Sequence, residues 1–527
     1  MLLLAGALLV FGFAPFGHWY VAFVSLGLFL SLLSFGHRHR ATLWQVVVRS
    51  VLYGLGMAGA GVWWMFALFR YTYQYDAATS LVLTVASLSA LAVLYFAPLG
   101  VLLWAASRLP FKAITFPSAW VLAEWLRTVP VLGFPWFFVG TAFVETPLIG
   151  YAPVLGVFGV SWLVAFLSYA LYACAQRLTD ARTGRTAAPA RLVALTAGAF
   201  TAVFAIGLVG QQVAWTEQSD TDPISVMLMQ THKTKAPQPP AVLTTDSPNA
   251  SDGPVQIESD KNAETLLNLT LAALRDSATP PDVVVWPENA LSRSYRVDGE
   301  DVIALRDRIR AEGVSVLTGA ATYIATGERD RSYRTSLIHL ADELAYYHKQ
   351  RLVPVYEHTS FPTWLVRMLP VLDSGLVTQP ELQPQRPFRV AGHAISAAIC
   401  FEMVFPDLWA SQAAQAGAMF TVSNDDGISY KGLGAHHIFQ AGQMRAAETR
   451  RAVVRVANAG ISAIIDPHGR VQEKRTLQAG VILGEVSMRS GTTPFMRFGS
   501  TPVLGLSVGC LVLAAGVRFR RPKAQPA

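Results

Sequence analysis

Hydrophobic positions are distributed unevenly along this chain: long apolar runs fill residues 1–213 and 500–517, while the middle alternates short apolar runs with polar stretches. A helix needs about 20 apolar residues to cross a bilayer. Runs of that kind lie at 19–36, 45–69, 81–106, 155–175, 192–213 and 500–517. Shorter runs at 2–13 and 114–130, bounded by Pro and charge, are counted with them, which predicts about eight helices. The first run has no basic stretch before it and no small-residue cleavage site after it, and it continues through Pro15-Phe16-Gly17 into the second run. It therefore reads as an uncleaved helix rather than a signal peptide.

Between 222 and 490 the period changes. Runs of strand length rich in β-branched residues occur at 224–230, 282–286, 314–319, 335–340, 344–348, 394–400, 419–423, 452–457, 461–466 and 481–486. Helical periodicity occupies 261–275, 301–312, 404–416 and 434–450. The alternation, with several strands following one another directly, predicts an α/β sandwich rather than a repeat or a barrel. Residues 231–260, rich in Pro, Ser, Thr and Asp, read as a loop or lid.

Composition agrees with the pattern. With 52% hydrophobic and 15% charged residues among 527, and a mean hydropathy of +0.36, the chain is too apolar for a soluble globule. The expected organisation is a transmembrane part at 1–213, a water-facing domain at 214–499, and a last transmembrane helix with a basic tail at 500–527. The net charge of +7 does not indicate a nucleic-acid partner, because the basic residues cluster beside apolar runs: His37-Arg38-His39-Arg40, then 107–113, 177–191 and 518–523. Such clusters mark cytoplasmic loops. Eight crossings place all four on that side and 214–499 on the other. Cys174 and Cys510 lie in apolar runs, so Cys400 stands alone in the polar region, where no disulfide framework can form.

Three chemistry-bearing positions each follow an apolar strand: Glu288 after Val283-Val284-Val285-Trp286-Pro287, Lys349 after Tyr346-Tyr347-His348, and Cys400 after Ala397-Ala398-Ile399. A lone Cys after such a run is ordinarily a core residue, and a lone Glu or Lys is ordinarily solvated. The three contexts in this order are more specific. WPEN at 286–289, YHKQRLVPVYE at 347–357 and AAICFE at 397–402 resemble the Glu, Lys and Cys motifs of nitrilase-type carbon-nitrogen hydrolases, most of all the membrane-bound apolipoprotein N-acyltransferase branch. The resemblance continues through Ser423-Asn424-Asp425, the stretch 436–469, GTTPFMRFG at 491–499 and, in the apolar part, Phe11 to Trp19 and residues 133–163.

The resemblance implies a multi-pass helical membrane domain joined to a nitrilase-like αββα sandwich, with no cofactor and no metal. It implies that Cys400 is the nucleophile, Glu288 the general base and later acid, and Lys349 the stabiliser of the developing oxyanion. A thiolate is the attacking species in such chemistry; an ammonium favours it and a carboxylate can take its proton. Glu357 and Glu402 match further acidic positions that would orient Lys349 or the incoming amine, and Phe401 and Asn424 are supporting positions. The implied reaction moves an acyl chain from a phospholipid to Cys400 as a thioester, then to the α-amine of a diacylglyceryl-modified cysteine on an apolipoprotein. The implied setting is the bacterial inner membrane, with the catalytic domain periplasmic and the protein a monomer. Exposing a chain of about sixteen carbons to water costs on the order of 12 kcal/mol, so helices holding the site at the bilayer would have a mechanistic role. Trp136, Phe137, Phe138 and Trp364 are candidates for a lipid-facing rim, although each taken alone fits an ordinary aromatic belt better.

The chain departs from the family pattern at Met229-Gln230-Thr231-His232-Lys233 and the polar insertion that follows, at Asp426-Gly427-Ile428-Ser429, and at Phe401, where a Tyr is common. These positions bear on donor and acceptor preference. His393, His436 and His437 do not have zinc-site spacing. Rival functions are a membrane-tethered amidase or nitrilase, in which water resolves the acyl-enzyme, and a silent lipoprotein-binding protein; a transporter is disfavoured by the scarcity of ionisable residues in the apolar runs.

Overall fold

The computed structural model describes the chain except residues 36–40, 130–132, 186–188, 231–260, 276, 278, 292, 326–330, 355–356, 358–377, 430–432 and 521–527. The proposed lid, Trp364 and the His37–Arg40 cluster fall outside the described residues.

Among the described residues, eight apolar helices occupy the predicted places: Leu2–Val10, Val21–Leu32, Leu43–Gly61, Ala77–Ala106, Lys112–Leu126, Ala152–Arg182, Ala190–Gln212 and Thr501–Arg520. Four are long and apolar enough to span a bilayer, counting the turn at Pro147–Tyr151 with the sixth, and a fifth span is made if Leu43–Gly61 is joined to Met65–Thr72. The helices Leu2–Val10, Val21–Leu32 and Lys112–Leu126 are shorter than a full crossing at 1.5 Å per residue. One run departs from expectation. The span at 45–69 bends by 61° after Gly61 and ends in a π-helical turn, Leu68–Thr72, the kind of interruption that breaks a helix. The bend carries Trp64, Leu68 and Thr72 over the polar domain.

The described residues in the middle of the chain form fifteen strands: β1 (Glu217–Gln218), β2 (Ile224–Gln230), β3 (Val283–Val285), β4 (Ser294–Arg296), β5 (Val316–Ala325), β6 (Arg331–Leu340), β7 (Leu344–His348), β8 (Phe388–Val390), β9 (His393–Ile399), β10 (Ala418–Asn424), β11 (Ala452–Asn458), β12 (Ile461–Ile465), β13 (Val471–Thr476), β14 (Gly480–Val486) and β15 (Arg489–Ser490). One sheet runs β14-β2-β3-β5-β6-β7, with β4 beside β5, and the other runs β13-β12-β11-β10-β9-β8. Each has parallel strands at its centre, β2-β3-β5 and β9-β10-β11, and antiparallel strands outside them.

Alternation along the strands creates the layers, because successive side chains point to opposite faces. Ile224, Val226 and Leu228 of β2 meet Ile395, Ala397 and Ile399 of β9 and Phe420 of β10 between the sheets. On the outer face Met227 and Met229 pack with Val284 and Trp286 under the helices Lys261–Arg275 and Glu300–Ala311. The outer face of the second sheet, through Ala398, Met419, Val453 and Ala463, shares one core with Trp409, Ile438 and the membrane helices. This is the expected αββα sandwich, with one helical layer, Pro406–Ala413 and Leu433–Thr449, wedged between sheet and membrane part.

Polar anchors fix that wedge. Glu448 Oε1 accepts the Val157 amide at 2.7 Å, where Gly156 at φ +61° interrupts the helix Ala152–Arg182. A Cβ at Gly156 would stand 2.3 Å from the Phe495 ring. Burial raises the Glu448 carboxyl to about 7, against the neighbouring Arg445 guanidinium. Trp136 Nε1 donates to His437 Nδ1 at 3.2 Å, and burial beside His436 keeps that imidazole neutral by lowering it to about 3. Trp136, Phe137 and Phe138 are thus buried in the joint between the two parts, which corrects their placement on a lipid-facing rim: the aromatic surface is used to dock a helix.

Candidate active site

The chemistry-bearing residues stand at the C-terminal ends of strands, where backbone geometry is rigid and side chains emerge from the sheet edge. Glu288 lies just past β3. Trp286, whose indole donates to Thr270 Oγ1 at 3.1 Å, anchors that turn, and Asn289 leaves it in the left-handed region at φ +55°. Lys349 follows β7, its amide held by Thr335 O at 2.8 Å. Cys400 follows β9, itself at φ +50°, and begins the 3-10 turn Cys400–Val404. A non-glycine residue in this region is strained and persists where surrounding packing fixes it. Glu288 and Lys349 come from one sheet and Cys400 from the other, so the sandwich brings them together.

Lys349 Nζ donates to Glu357 Oε1 at 2.7 Å and to Glu288 Oε1 at 3.3 Å. The Asn424 amide, at the end of β10, donates to Glu288 Oε2 at 2.7 Å, and Asn458 Nδ2 donates to the Glu288 carbonyl at 2.9 Å. Glu357 Oε2 accepts the Val353 amide at 2.8 Å. Lys349 is 1% exposed and Glu288 4%. Two carboxylates and one ammonium buried together leave an excess negative charge, and the proton affinities follow from it. Burial pushes the Glu288 carboxyl up, Lys349 opposes, and Glu357 adds to the rise. Burial works to lower Lys349, but Glu288, Glu357 and the Cys400 sulfur outweigh it and hold the ammonium well above the usual lysine range. Burial and Glu288 together push the Cys400 thiol up, against Lys349. The resting cluster thus holds a thiol, a charged lysine and a glutamate whose raised basicity suits it to take the thiol proton.

Glu402 is fully buried, and among the described residues Lys349 bonds to Glu288 and Glu357 rather than to it. Its carboxylate accepts the amides of Ile399 at 2.6 Å and Gln350 at 2.6 Å and the Tyr347 phenol at 2.9 Å, tying the Cys400 turn to the segment after β7. Burial, only partly offset by these bonds, raises it to about 7. Phe401 is buried with its ring stacked on Phe134 at 6.4 Å. Beneath the cluster Arg455 donates to Asp425 Oδ2 at 2.6 Å, and Ser423 donates to Asp425 Oδ1 at 2.5 Å. Gly319 of β5 passes so close to the Glu288 turn that a Cβ there would stand 2.6 Å from Glu288 Cα. Gly319→Ala is therefore expected to displace the carboxylate and lower activity about 10² fold with a smaller loss in melting temperature, as checked by steady-state rates and thermal unfolding of the same preparation.

Above Cys400 lies a cavity of about 130 Å³ that joins the two parts of the molecule. The sandwich contributes Glu288, Lys349, Glu357, Cys400, Phe401 and Asn424; the membrane part contributes Trp64, Leu68, Thr72, Phe134 and Trp136. Asp426, Gly427 and Ile428, at one of the sequence departures, line it as well. Of the other departure, Gln230 bridges the sheets, donating to Gly460 O at 3.1 Å and accepting the Ser462 amide at 3.1 Å. The segment that carries Phe134 and Trp136 is fixed by membrane-part residues: Arg127 donates to Trp136 O at 3.1 Å, and Glu124 Oε1 accepts the Val139 amide at 2.9 Å. Asn458, Trp64, Leu68, Thr72 and Phe134 were not singled out in the sequence, whereas Trp136 was, as a candidate for a lipid-facing rim. Asn458 sits mid-pattern in an apolar strand, and nothing in an apolar run distinguishes a side chain that faces a cavity.

A two-sheet sandwich carrying a thiol, a lysine and two carboxylates at its strand ends defines a membrane-bound protein of the carbon-nitrogen hydrolase class, and residues 247–493 match the carbon-nitrogen hydrolase family. Residues 5–170 match the apolipoprotein N-acyltransferase N-terminal domain. The chain is 32% identical to the apolipoprotein N-acyltransferase of Methylococcus capsulatus over 98% of its own length and 95% of that protein. It is also 32% identical to that of Azotobacter vinelandii, over 99% and 96%. The chain belongs to the apolipoprotein N-acyltransferase family, and it is an acyltransferase. An amidase from Nesterenkonia sp. AN1 aligns with 55% of the chain and 98% of its own, at 15% identity and a TM-score of 0.35, too low to add to the argument.

Proposed function

We propose that the protein transfers an acyl chain from a phospholipid to the α-amine of the diacylglyceryl-cysteine of an apolipoprotein, through a thioester on Cys400. The observation that carries this reading is the cavity in which the thiol, Glu288 and Lys349 meet side chains of the membrane helices. A donor ester carbonyl placed there reaches Cys400 without leaving an apolar environment. In the first half-reaction Glu288 takes the thiol proton as sulfur attacks, Lys349 faces the oxyanion, and Glu288 returns the proton to the departing lysophospholipid alkoxide. In the second, Glu288 takes a proton from the attacking amine while the thioester C–S bond breaks, and Cys400 is restored. Glu357 holds Lys349, Glu402 holds the Cys400 turn, and Asn424 orients the Glu288 carboxylate.

Residues 1–213 and 500–527 form the membrane part of this scheme and 214–499 the catalytic domain. The basic clusters that flank the apolar runs, read as cytoplasmic, support a periplasmic catalytic face in the inner membrane. The test is mass spectrometry of the purified protein after incubation with phospholipid, followed by addition of a diacylglyceryl lipopeptide. The expected result is an acyl adduct on Cys400, absent in Cys400→Ala, that disappears as the lipopeptide gains the same chain. An adduct lost equally fast to water would instead identify a hydrolase, and no adduct at all a binding protein.

A further inference from the structure

A second and larger cavity, of about 400 Å³, shares no residue with the candidate active site. It opens where the helix Ala190–Gln212 meets the sandwich, and Gln211, at that helix end, lines it. Val144, Thr146 and Ile149 of the membrane part form one wall. Gln443, Arg450, His468, Gly469 and Arg470 of the sandwich form the other. It therefore lies at the level where a membrane-spanning helix leaves the apolar zone, the depth of lipid headgroups, and its volume is that of a ligand pocket.

Arg450 gives this cavity its chemistry. The residue is 3% exposed, and its Nη1 is engaged by His468 Nδ1 at 2.6 Å and Pro467 O at 3.5 Å. Its Nε and Nη2 have no partner among the described residues. A buried guanidinium with two idle donors is costly unless an acceptor completes it. Asp466, the carboxylate that offsets the Arg450 charge, accepts the amides of His468 and Arg470 through Oδ1, both at 2.8 Å. Arg470 and Arg489 add positive charge around Arg450, while Glu145 stands exposed on the rim. Arg489 is itself held by Thr216.

We propose that this cavity binds a phosphate group, held by the Arg450 guanidinium with Arg470 closing over it. Planar paired donors of this kind match phosphate oxygens, and basic pockets at the membrane surface recognise lipid headgroups. The site would thus hold a phosphate-bearing lipid beside the catalytic domain, apart from the lipid that donates its chain. The inference does not depend on Cys400 chemistry.

The experiment is native mass spectrometry and thermal unfolding of the full-length protein in detergent, titrated in separate arms with phosphatidylglycerol and with inorganic phosphate. Wild type, Arg450→Gln and Arg470→Gln are compared. One lipid should be retained by wild type with a rise in melting temperature. Retention should weaken about tenfold in Arg450→Gln and about fivefold in Arg470→Gln, whose exposed side chain makes misfolding no explanation. Protection by inorganic phosphate alone, lost in the same variants, would keep the phosphate site and assign it a soluble ligand. Equal lipid retention in all three proteins, or no response to either ligand, would overturn the proposal. Because the readout is binding, failure here is distinguishable from failure of acyl transfer.

Discussion

Exchange of Lys349 for methionine is expected to lower acyl transfer about 10³ fold and to move the acid limb of its pH profile upward. The rate loss follows from removing the charged group that faces the developing oxyanion in a buried site. The pH shift follows from the charge balance around Glu288. Burial and Glu357 raise the Glu288 carboxyl, and Lys349 is what restrains it. Without the ammonium the carboxyl rises further. Glu288 must be ionised to take the thiol proton, so the variant needs a higher pH to reach its maximal rate. A pH–rate profile of wild type and variant checks this. A variant with a reduced rate and an unmoved acid limb would mean that Glu288 is not the titrating base. Glu357→Gln makes the complementary case: it removes a charge that raises Glu288, so its acid limb should move downward.

The second large effect is on stability. Arg455 and Asp425 are both fully buried under the active site, joined at 2.6 Å. Arg455→Met is expected to destabilise the sandwich by roughly 3–5 kcal/mol, because it strands a buried carboxylate whose remaining bond is to Ser423. The double variant Arg455→Met, Asp425→Ala removes both charges and should recover much of that loss. Thermal unfolding of the three proteins measures it. Activity should fall further than stability in the single variant, since Asn424, next in chain to Asp425, is the residue whose amide orients Glu288. A single variant as stable as wild type would show that the pair contributes little.

The positions of strands and helices were legible because each run is long or strongly periodic. The 224–230 and 344–348 strands and the 261–275 helix coincide with the predicted limits, and the other predicted elements agree within a few residues, the strand continuing to Ala325 being the largest extension. Strands β1, β4, β8, β13 and β15 were missed. Glu217–Gln218, Ser294–Arg296, Phe388–Val390 and Arg489–Ser490 are too short for a period to register, and Val471–Thr476 is mostly polar, an outer strand with both faces near water. The 45–69 run was read as a single span, because hydropathy reports burial in lipid and carries no signal for a bend.

What the sequence determined by itself was which side chains bear the chemistry and in what local setting: a Cys, a Glu and a Lys each at the end of an apolar strand, in a chain too apolar to leave the membrane. Local pattern suffices for this, since a strand end is a property of neighbouring residues. Only the tertiary structure decided which of the supporting acids does what. Glu357 reaches the Lys349 ammonium, whereas Glu402, two residues from Cys400, turns away to cap backbone amides and the Tyr347 phenol. Only the fold, too, could place Trp64, Phe134 and Trp136 over Cys400, or Arg450 beside Gln211. These are contacts between residues far apart in sequence, set by how two sheets and a bundle of helices pack, and periodicity along one segment carries no information about the segment it will meet.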